Sequence, residues 1–363
     1  MTQDSLNRRQ ILAAGGLGAA AAAGLPVSAL AAPKRLDVLI LASVMQDPVG
    51  PMVERLSNVT LNNGPYLSSA DVIARINAPG GPRHALYCGV TEILRQPVMG
   101  AASGDEKAFP IDPAKMPNLA DLSDLVKSDV IERDGKTFII PLFWGFDTVI
   151  YNKAEVKLPE EETNTFGLLY DDRFAGRIAW LDQPYYSLYA AALYLGHSAP
   201  EKATRAEIGE FAKFMISKKK NVRALWQTQA QAINLMGSGE CVISSGQIPI
   251  RVTLNRRGMD IATGWPKEGV IVWTEGYFMP KNVRDPAAAQ AVLNAVLDPE
   301  VGAALTRLSG YPTASAKGAA LLTPEERRQA GFDIKERGLK ITGYRFPSDL
   351  SEWVEAWNRV KSA

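Results

Sequence analysis

The sequence is poor in the side chains that most metal and redox chemistry requires. Its 363 residues include two histidines, His84 and His197, and two cysteines. It has no Gly-x-Gly-x-x-Gly motif after a predicted strand, no P-loop, no Cys-x-x-Cys pair and no Gly-x-Ser-x-Gly motif. These absences argue against catalysis, and we expect a protein without a metal or other cofactor.

Charge of one sign is also missing from any single region. The 40 basic and 39 acidic side chains nearly balance, and no segment forms the basic stripe that nucleic-acid binding requires. Beyond residue 32, no apolar run reaches the roughly 18 residues that cross a bilayer. We therefore expect a soluble mature protein that does not bind nucleic acid.

The N-terminus carries the pattern of an export signal. Arg8 and Arg9 precede an uncharged run, residues 11–32, that is rich in Ala, Gly and Leu. This pattern is typical of a twin-arginine signal peptide, which we place at residues 1–32, and it predicts a periplasmic protein. A membrane anchor is the alternative, but Pro26 and the small-x-small site that ends at Ala31 favour cleavage.

The two cysteines of the exported protein would meet an oxidising compartment. Cys88 and Cys241 fall in separate predicted strands and in what we expect to be different lobes. Two buried free thiols are therefore a better expectation than a disulfide.

The mature chain alternates strand-like apolar runs with amphipathic helical runs, which predicts an α/β fold with parallel strands. A chain of more than about 300 residues exceeds one hydrophobic core, so we expect two lobes. The bend predicted at Trp144 and Gly145, between strands 137–142 and 148–151, is the expected hinge. A long strand over 270–279 would return the chain. The predicted strands of the two alternations are 36–41, 59–61 and 84–88, then 177–181, 222–226 and 241–245.

These elements define the expected domain boundaries. Lobe 1 comprises residues 33–145 plus about 275–320, and lobe 2 comprises residues 146–274 plus about 321–363. Because ligands of open α/β sheets bind beyond the carboxyl ends of strands, the cleft between the lobes is the expected binding site.

Several motifs keep both their order and their spacing along the chain. They are Met-Pro-Asn-Leu at 116–119, Pro-Leu-Phe-Trp-Gly at 141–145, Ile-Tyr-Asn-Lys at 150–153, Phe-Ala-Gly-Arg-Ile at 174–178, Gly-Ser-Gly-Glu at 237–240, Trp-Pro-Lys-Glu-Gly at 265–269, Trp-Thr-Glu at 273–275 and Gly-Tyr-Pro-Thr at 310–313. With them the chain resembles the spermidine- and putrescine-binding proteins of ABC importers. The resemblance implies a type II periplasmic-binding clamshell with two crossing strands as its hinge. It also implies a small amine-bearing solute or organic cation and an ABC permease as partners, and we expect a monomer.

The resemblance also assigns binding residues. In the family an aromatic and a carboxylate, two residues apart on the returning strand, hold an ammonium group by cation-π contact and charge-assisted hydrogen bonds. Trp273 and Glu275 match these positions. Tyr311, in the Gly-Tyr-Pro-Thr turn, matches a further wall of the cleft.

Other positions depart from the family pattern. The acidic pair of the family falls on Gln183 and Tyr186, beside Asp182, and its covering aromatic residues fall near Gln247, Val44 and Asp47. Acidic residues appear instead at Asp147 and Glu92. We therefore expect an amine-bearing solute, polyamine-like or an amino-acid derivative, whose far end is neutral or carboxylated and is held by hydrogen bonds.

Alternatives remain open at several of these residues. Trp273 has the character of a core residue, Glu92 would complement a helix dipole, and Asp147 would cap a local turn. Adjacent tyrosines at 185 and 186 resemble the phenolate ligands of ferric-iron binders with the same fold, although no histidine lies beside them. Twin-arginine export would also suit a cofactor-loaded enzyme, for which the sequence offers no site.

Overall fold

Periodic apolar segments of the chain form strands and amphipathic segments form helices, in the order expected from the sequence. The computed structural model describes residues 34–343 and 350–363. The predicted signal peptide, residues 1–32, lies outside the described residues. Residues 34–363 form a single compact unit.

Within the described residues there are twelve strands. They are β1 (Lys34–Leu39), β2 (Val59–Asn63), β3 (Leu86–Val90), β4 (Ala108–Phe109), β5 (Ile131–Arg133), β6 (Lys136–Asn152), β7 (Ile178–Leu181), β8 (Val222–Trp226), β9 (Ile243–Gln247), β10 (Ile261–Gly264), β11 (Val270–Pro280) and β12 (Ile341–Gly343).

The same part of the chain contains thirteen α-helices. They are α1 (Val49–Ser57), α2 (Ser69–Ile76), α3 (Thr91–Met99), α4 (Glu160–Thr163), α5 (Pro184–Tyr194), α6 (Arg205–Lys218), α7 (Gln229–Gly237), α8 (Ile248–Arg256), α9 (Pro286–Val296), α10 (Pro299–Ser309), α11 (Ala316–Ala320), α12 (Pro324–Ala330) and α13 (Leu350–Ser362). Asp285 and Asp298 cap α9 and α10 through their carboxylates, each followed by a proline in the first turn, as the sequence predicts.

The sheet has two parallel groups joined by a central antiparallel pair. Its strand order is β2-β1-β3-β11-β6-β9-β7-β8. The groups β2-β1-β3 and β9-β7-β8 are parallel, while β11 runs antiparallel to both β3 and β6, and β6 runs antiparallel to β9. The two long central strands therefore connect two α/β halves.

The predicted bend at Trp144 and Gly145 is wrong. β6 runs without a break through both residues from Lys136 to Asn152. Glycine is required at position 145 for packing, because a Cβ there would lie 2.6 Å from Cζ2 of Trp273 on the neighbouring strand. The glycine therefore admits an indole ring over the strand and does not turn the chain.

Helices cover the two halves separately. α1 packs against α9 and α10, and α13 packs against α5 and α6. Cys88 and Cys241 are both buried and free, which confirms the expectation of two free thiols. In the part of the chain that the structure describes, no helix has the length and apolar character needed to span a bilayer.

Candidate functional site

Glu275 lies in the middle of β11 and is only 4% exposed. Burial raises the pKa of its carboxyl to about 7, and hydrogen bonds with Cys88 and Tyr66 offset part of that rise. Its Oε1 atom is buried and accepts no hydrogen bond within the described residues. An uncompensated buried carboxylate is costly unless a cation or a donor meets it.

Asp147 is a second buried carboxylate without a cationic partner. It lies in β6 opposite Gln247 of β9 and is 4% exposed. Burial raises its pKa to about 7, while hydrogen bonds from Gln247 and Trp273 act in the opposite direction. Because Asp147 sits inside a continuous strand, the alternative that it caps a local turn is wrong.

The two carboxylates share one face of the central strand pair. Asp147 pairs with Ile271, and Glu275 lies four residues further along β11, opposite Phe143. Opposite residues of an antiparallel pair, and alternate residues of a strand, point to the same face. At a rise of about 3.3 Å per residue, the two positions are separated by roughly 13 Å along the strands.

Aromatic rings line the strand face between the two acids. Trp273 projects from the same face over Gly145 and is 7% exposed. Its ring meets Tyr311 edge-on at 5.2 Å, and Tyr311 stacks on Phe143 at 5.3 Å. Burial is the main cause that raises the pKa of Tyr311, and the negative charges of Asp147 and Glu275 raise it further. The Tyr311 ring therefore lies near both carboxylates.

A chain of neutral hydrogen-bonding groups leads away from Asp147. Gln247 Nε2 donates to Asp147 Oδ1 at 3.1 Å. Gln229 Nε2 donates to Gln247 Oε1 at 2.8 Å and to the hydroxyl of Tyr311 at 2.9 Å. Gln229 is the first residue of α7, directly beyond the carboxyl end of β8. The amides therefore hold Asp147 and Tyr311 in position without adding a positive charge.

Five residues predicted from the sequence thus come together, namely Trp273, Glu275, Tyr311, Asp147 and Gln247. Two further predicted residues direct their polar groups elsewhere. Tyr186 is buried in α5 and donates its hydroxyl to the carbonyl of Thr148 at 2.6 Å. Asp182 accepts a hydrogen bond from Trp357 Nε1 at 2.6 Å and pairs with Lys361 at 3.2 Å, so its charge is compensated by α13.

The remaining three predicted residues occupy more open positions. Glu92 is in the first turn of α3, and its side chain is 39% exposed and pairs with Arg95 at 3.6 Å. Asp47 is exposed in the turn that precedes α1. Gln183 is the partly buried N-cap residue of α5. The placement of Glu92 beside Arg95 directs its carboxylate away from the cluster around Asp147 and Glu275.

Sequence analysis missed three contacts of the site. Tyr66, in the loop after β2, and Cys88, in β3, both hydrogen-bond to Glu275. The sequence did not indicate that Tyr66 is a site residue, because it lies in a loop. It did not indicate Cys88 either, because a single buried thiol is not typical of a binding site. Gln229 was also missed, although its place at the carboxyl end of a predicted parallel strand was a usable signal.

The adjacent tyrosines do not form the pair that iron binding would need. The hydroxyl of Tyr186 donates a hydrogen bond to a backbone carbonyl, while the ring of Tyr185 stacks on Trp353 at 6.0 Å between ring centres. Across residues 34–343 and 350–363, no group of three or more His, Cys, Asp or Glu side chains is placed to hold a metal ion. The site is a buried cluster of acidic and aromatic side chains.

The chain is similar to known solute-binding proteins in sequence. Residues 91–329, more than half of the chain, match the family model of bacterial extracellular solute-binding proteins. The putrescine-binding periplasmic protein of Pseudomonas aeruginosa is 21% identical over 91% of this chain and 99% of its own length. The resemblance inferred from the sequence motifs is confirmed.

Solved structures agree on the fold. The spermidine/putrescine ABC transporter substrate-binding protein of Streptococcus pneumoniae superposes with a TM-score of 0.73 at 17% identity, over 91% of this chain and 99% of that protein. The Agrobacterium tumefaciens protein MotA, solved in complex with glucopine, gives a TM-score of 0.66 at 17% identity, over 90% of this chain and 99% of that protein. The predicted α/β clamshell with two crossing strands is confirmed.

Proposed function

This chain belongs to the bacterial extracellular solute-binding proteins, and from that premise we propose that it captures a small amine-bearing solute in the compartment between Asp147 and Glu275. The solute would be delivered to an ABC permease. Capture would need no covalent chemistry, because closure around the solute supplies the specificity.

The observation that carries the proposal is the pair of buried, uncompensated acids. No Lys, Arg or His of the described residues contributes to the pKa of either Asp147 or Glu275. A protein that buries two carboxylates without cations stores an unfavourable charge that a cationic ligand would relieve. The unpaired Oε1 of Glu275 offers an acceptor for an ammonium hydrogen.

The aromatic walls suit the carbon skeleton of such a solute. Trp273 lies between the two acid positions, and Tyr311 and Phe143 extend the wall. Methylene groups next to an ammonium group carry part of its charge and bind well against aromatic faces. A solute with an amine at each end would satisfy both acids, as putrescine or spermidine would.

An amino-acid derivative is the other form of amine-bearing solute that the site supports. Gln247 and Gln229 form a neutral, amide-rich end around Asp147. If Asp147 keeps the proton that its raised pKa favours, this end would accept a neutral or carboxylated group by hydrogen bonds. MotA, a protein with this fold, is solved in complex with glucopine.

Lobe closure is supported by a contact across the predicted boundary. Gln229 belongs to the predicted lobe 2, and its amide donates to Tyr311 of the predicted lobe 1. The only strands shared by both halves of the sheet are β6 and β11, within the part of the chain described. We infer that these two strands flex when the lobes separate and that the Gln229–Tyr311 hydrogen bond breaks.

The export route is inferred from residues outside the described part of the chain. Arg8 and Arg9 and the following apolar run indicate twin-arginine export to the periplasm. The periplasmic location of the Pseudomonas aeruginosa relative supports the compartment. The mature sequence carries none of the cofactor motifs named above, so rapid folding before export would be the reason for the twin-arginine route.

Native mass spectrometry of protein purified from its own host tests the amine assignment. We expect an added mass equal to that of an amine, and we expect it to be lost in Glu275→Gln purified in the same way. Glu92→Gln is the control, because Glu92 is exposed and pairs with Arg95. A bound iron ion or an amine retained equally by Glu275→Gln would refute the proposal.

A further inference from the structure

A second, basic groove lies behind the central strands. It has a volume of about 240 Å³ and is bounded by Arg251 of α8, Arg328 of α12, Arg337 and Trp265. The ring of Trp265 is 5.2 Å from that of Phe146. Phe146 precedes Asp147 in β6, so its side chain points to the opposite face of the strand pair. The groove is therefore separate from the acidic compartment.

Two of the three guanidinium groups already have acidic partners. Arg328 Nη2 lies 2.5 Å from Oε2 of Glu325, and Arg337 Nη2 lies 2.9 Å from Oδ2 of Asp333. Arg337 also stacks on Trp265, with its guanidinium carbon 4.1 Å from the ring centre. These contacts fix the orientation of two cations that face the groove.

Arg251 is the cation that lacks compensation. Its Nη2 donates to the carbonyl oxygen of Gln329 at 2.6 Å, but its Nε is buried and has no hydrogen-bond partner in the described residues. Burial lowers the pKa of this guanidinium, and no carboxylate of the described part counteracts it. Arg251 is partly buried, and a guanidinium without a carboxylate partner in that position would be stabilised by a bound anion.

We propose that this groove binds a small oxyanion of the size of phosphate or sulfate. The planar donors of arginine match the oxygen atoms of such an anion in paired hydrogen bonds. Arg251 supplies a charge that has no carboxylate partner, and Arg328 and Arg337 supply donors around it. Trp265 forms the apolar side of the groove and packs on Phe146 of β6.

The groove is linked to the acidic compartment through one helix. Gln247, which donates to Asp147, is the N-cap residue of α8, and Arg251 follows one turn later on the same helix. An anion held by Arg251 would fix α8 and α12 relative to each other. The anion site itself does not depend on which solute fills the compartment.

Titration of the mature protein with potassium phosphate and potassium sulfate, in chloride buffer at constant ionic strength, tests the site. We expect saturable heat in calorimetry and a rise in Tm that levels off. Arg251→Gln should weaken binding at least about tenfold. Arg223→Gln is the matched control, because Arg223 is exposed and pairs with Glu240 at 3.1 Å, and it should bind like the parent.

Arg328→Gln provides a second variant in case Arg251→Gln does not fold. Arg328 is on the exposed side of α12, with a side chain 56% exposed, and its loss should also weaken anion binding. Putrescine binding by these variants should stay unchanged, which separates this inference from the amine proposal. Absence of saturable binding in the parent, or equal anion affinity in the parent and both groove variants, would overturn it.

Discussion

Asp147 and Glu275 face the same side of the β6/β11 pair, four strand positions apart, with the indole ring of Trp273 between them. Both carboxyls have pKa values raised to about 7 by burial, and the described residues offer neither of them a cation. When no ligand is bound, ionisation of the two carboxyls is therefore unfavourable.

Stability of the ligand-free protein should decrease as the pH rises. Because the folded-state pKa values are about 7 and unfolded carboxyls titrate near pH 4, the folded state binds more protons in that interval. The stabilisation is present below about pH 4 and is lost as pH rises through about 7, at most on the order of 4 kcal/mol per group. Urea unfolding at a series of pH values measures it.

Glu275→Gln should flatten this dependence, because the variant cannot ionise at that position. Glu92→Gln is the control substitution, because Glu92 lies on α3 and pairs with Arg95. A ligand-free protein whose stability rises between about pH 5 and about pH 7 would contradict the raised pKa values.

Amine affinity should change with pH in the opposite sense. Deprotonation of Asp147 and Glu275 creates the charges that an ammonium group binds, so affinity should increase from about pH 5.5 to about pH 8. Calorimetry with putrescine in buffers of different ionisation heats would also report proton release on binding. Affinity that is independent of pH over this range would show that neither carboxyl titrates on binding.

Gly145→Ala should destabilise the protein and weaken amine binding together. The added Cβ would lie 2.6 Å from Cζ2 and 2.8 Å from Cη2 of Trp273, so the ring must move. We expect a loss of about 1–3 kcal/mol in unfolding free energy. Gly209→Ala in α6 is the control, because its Cβ would meet no atom within 4 Å, and it should stabilise by about 0.5–1 kcal/mol.

Asp182→Ala should affect stability and leave amine binding unchanged. The substitution removes the acceptor of Trp357 Nε1 and the partner of Lys361, so α13 loses an anchor. We expect a loss of about 2 kcal/mol. Asp124→Ala is a suitable control, because this side chain is 91% exposed. A variant with reduced amine affinity and unchanged stability would instead show that Asp182 belongs to the binding site.

Sequence patterns predicted the order of the elements well because strand and helix periodicities differ. Helix α2 begins at Ser69 and ends at Ile76, and the hydroxyl of Ser68 caps it. The bend at Gly145 was misjudged because glycine serves both turns and close packing, and a sequence does not show that Trp273 lies across it.

The binding residues were predictable where a motif fixed their strand position. Trp273 and Glu275 are two residues apart in β11, so one face carries both. Tyr186 was harder to place because α5 is apolar nearly all round, which hides the direction of each side chain. Tyr66 lies in a loop, where no periodicity indicates the direction of the ring.

The most direct test of the paired-acid site is a double-mutant cycle on amine binding. Putrescine and spermidine would be titrated calorimetrically into the parent, Asp147→Asn, Glu275→Gln and the double variant, each unfolded and refolded to remove bound solute. We predict that one solute binds per protein molecule. Each single variant should bind the diamine about 100-fold more weakly than the parent, and the double variant should show no measurable binding. Equal affinities across the four proteins, or no amine binding by the parent, would contradict the account.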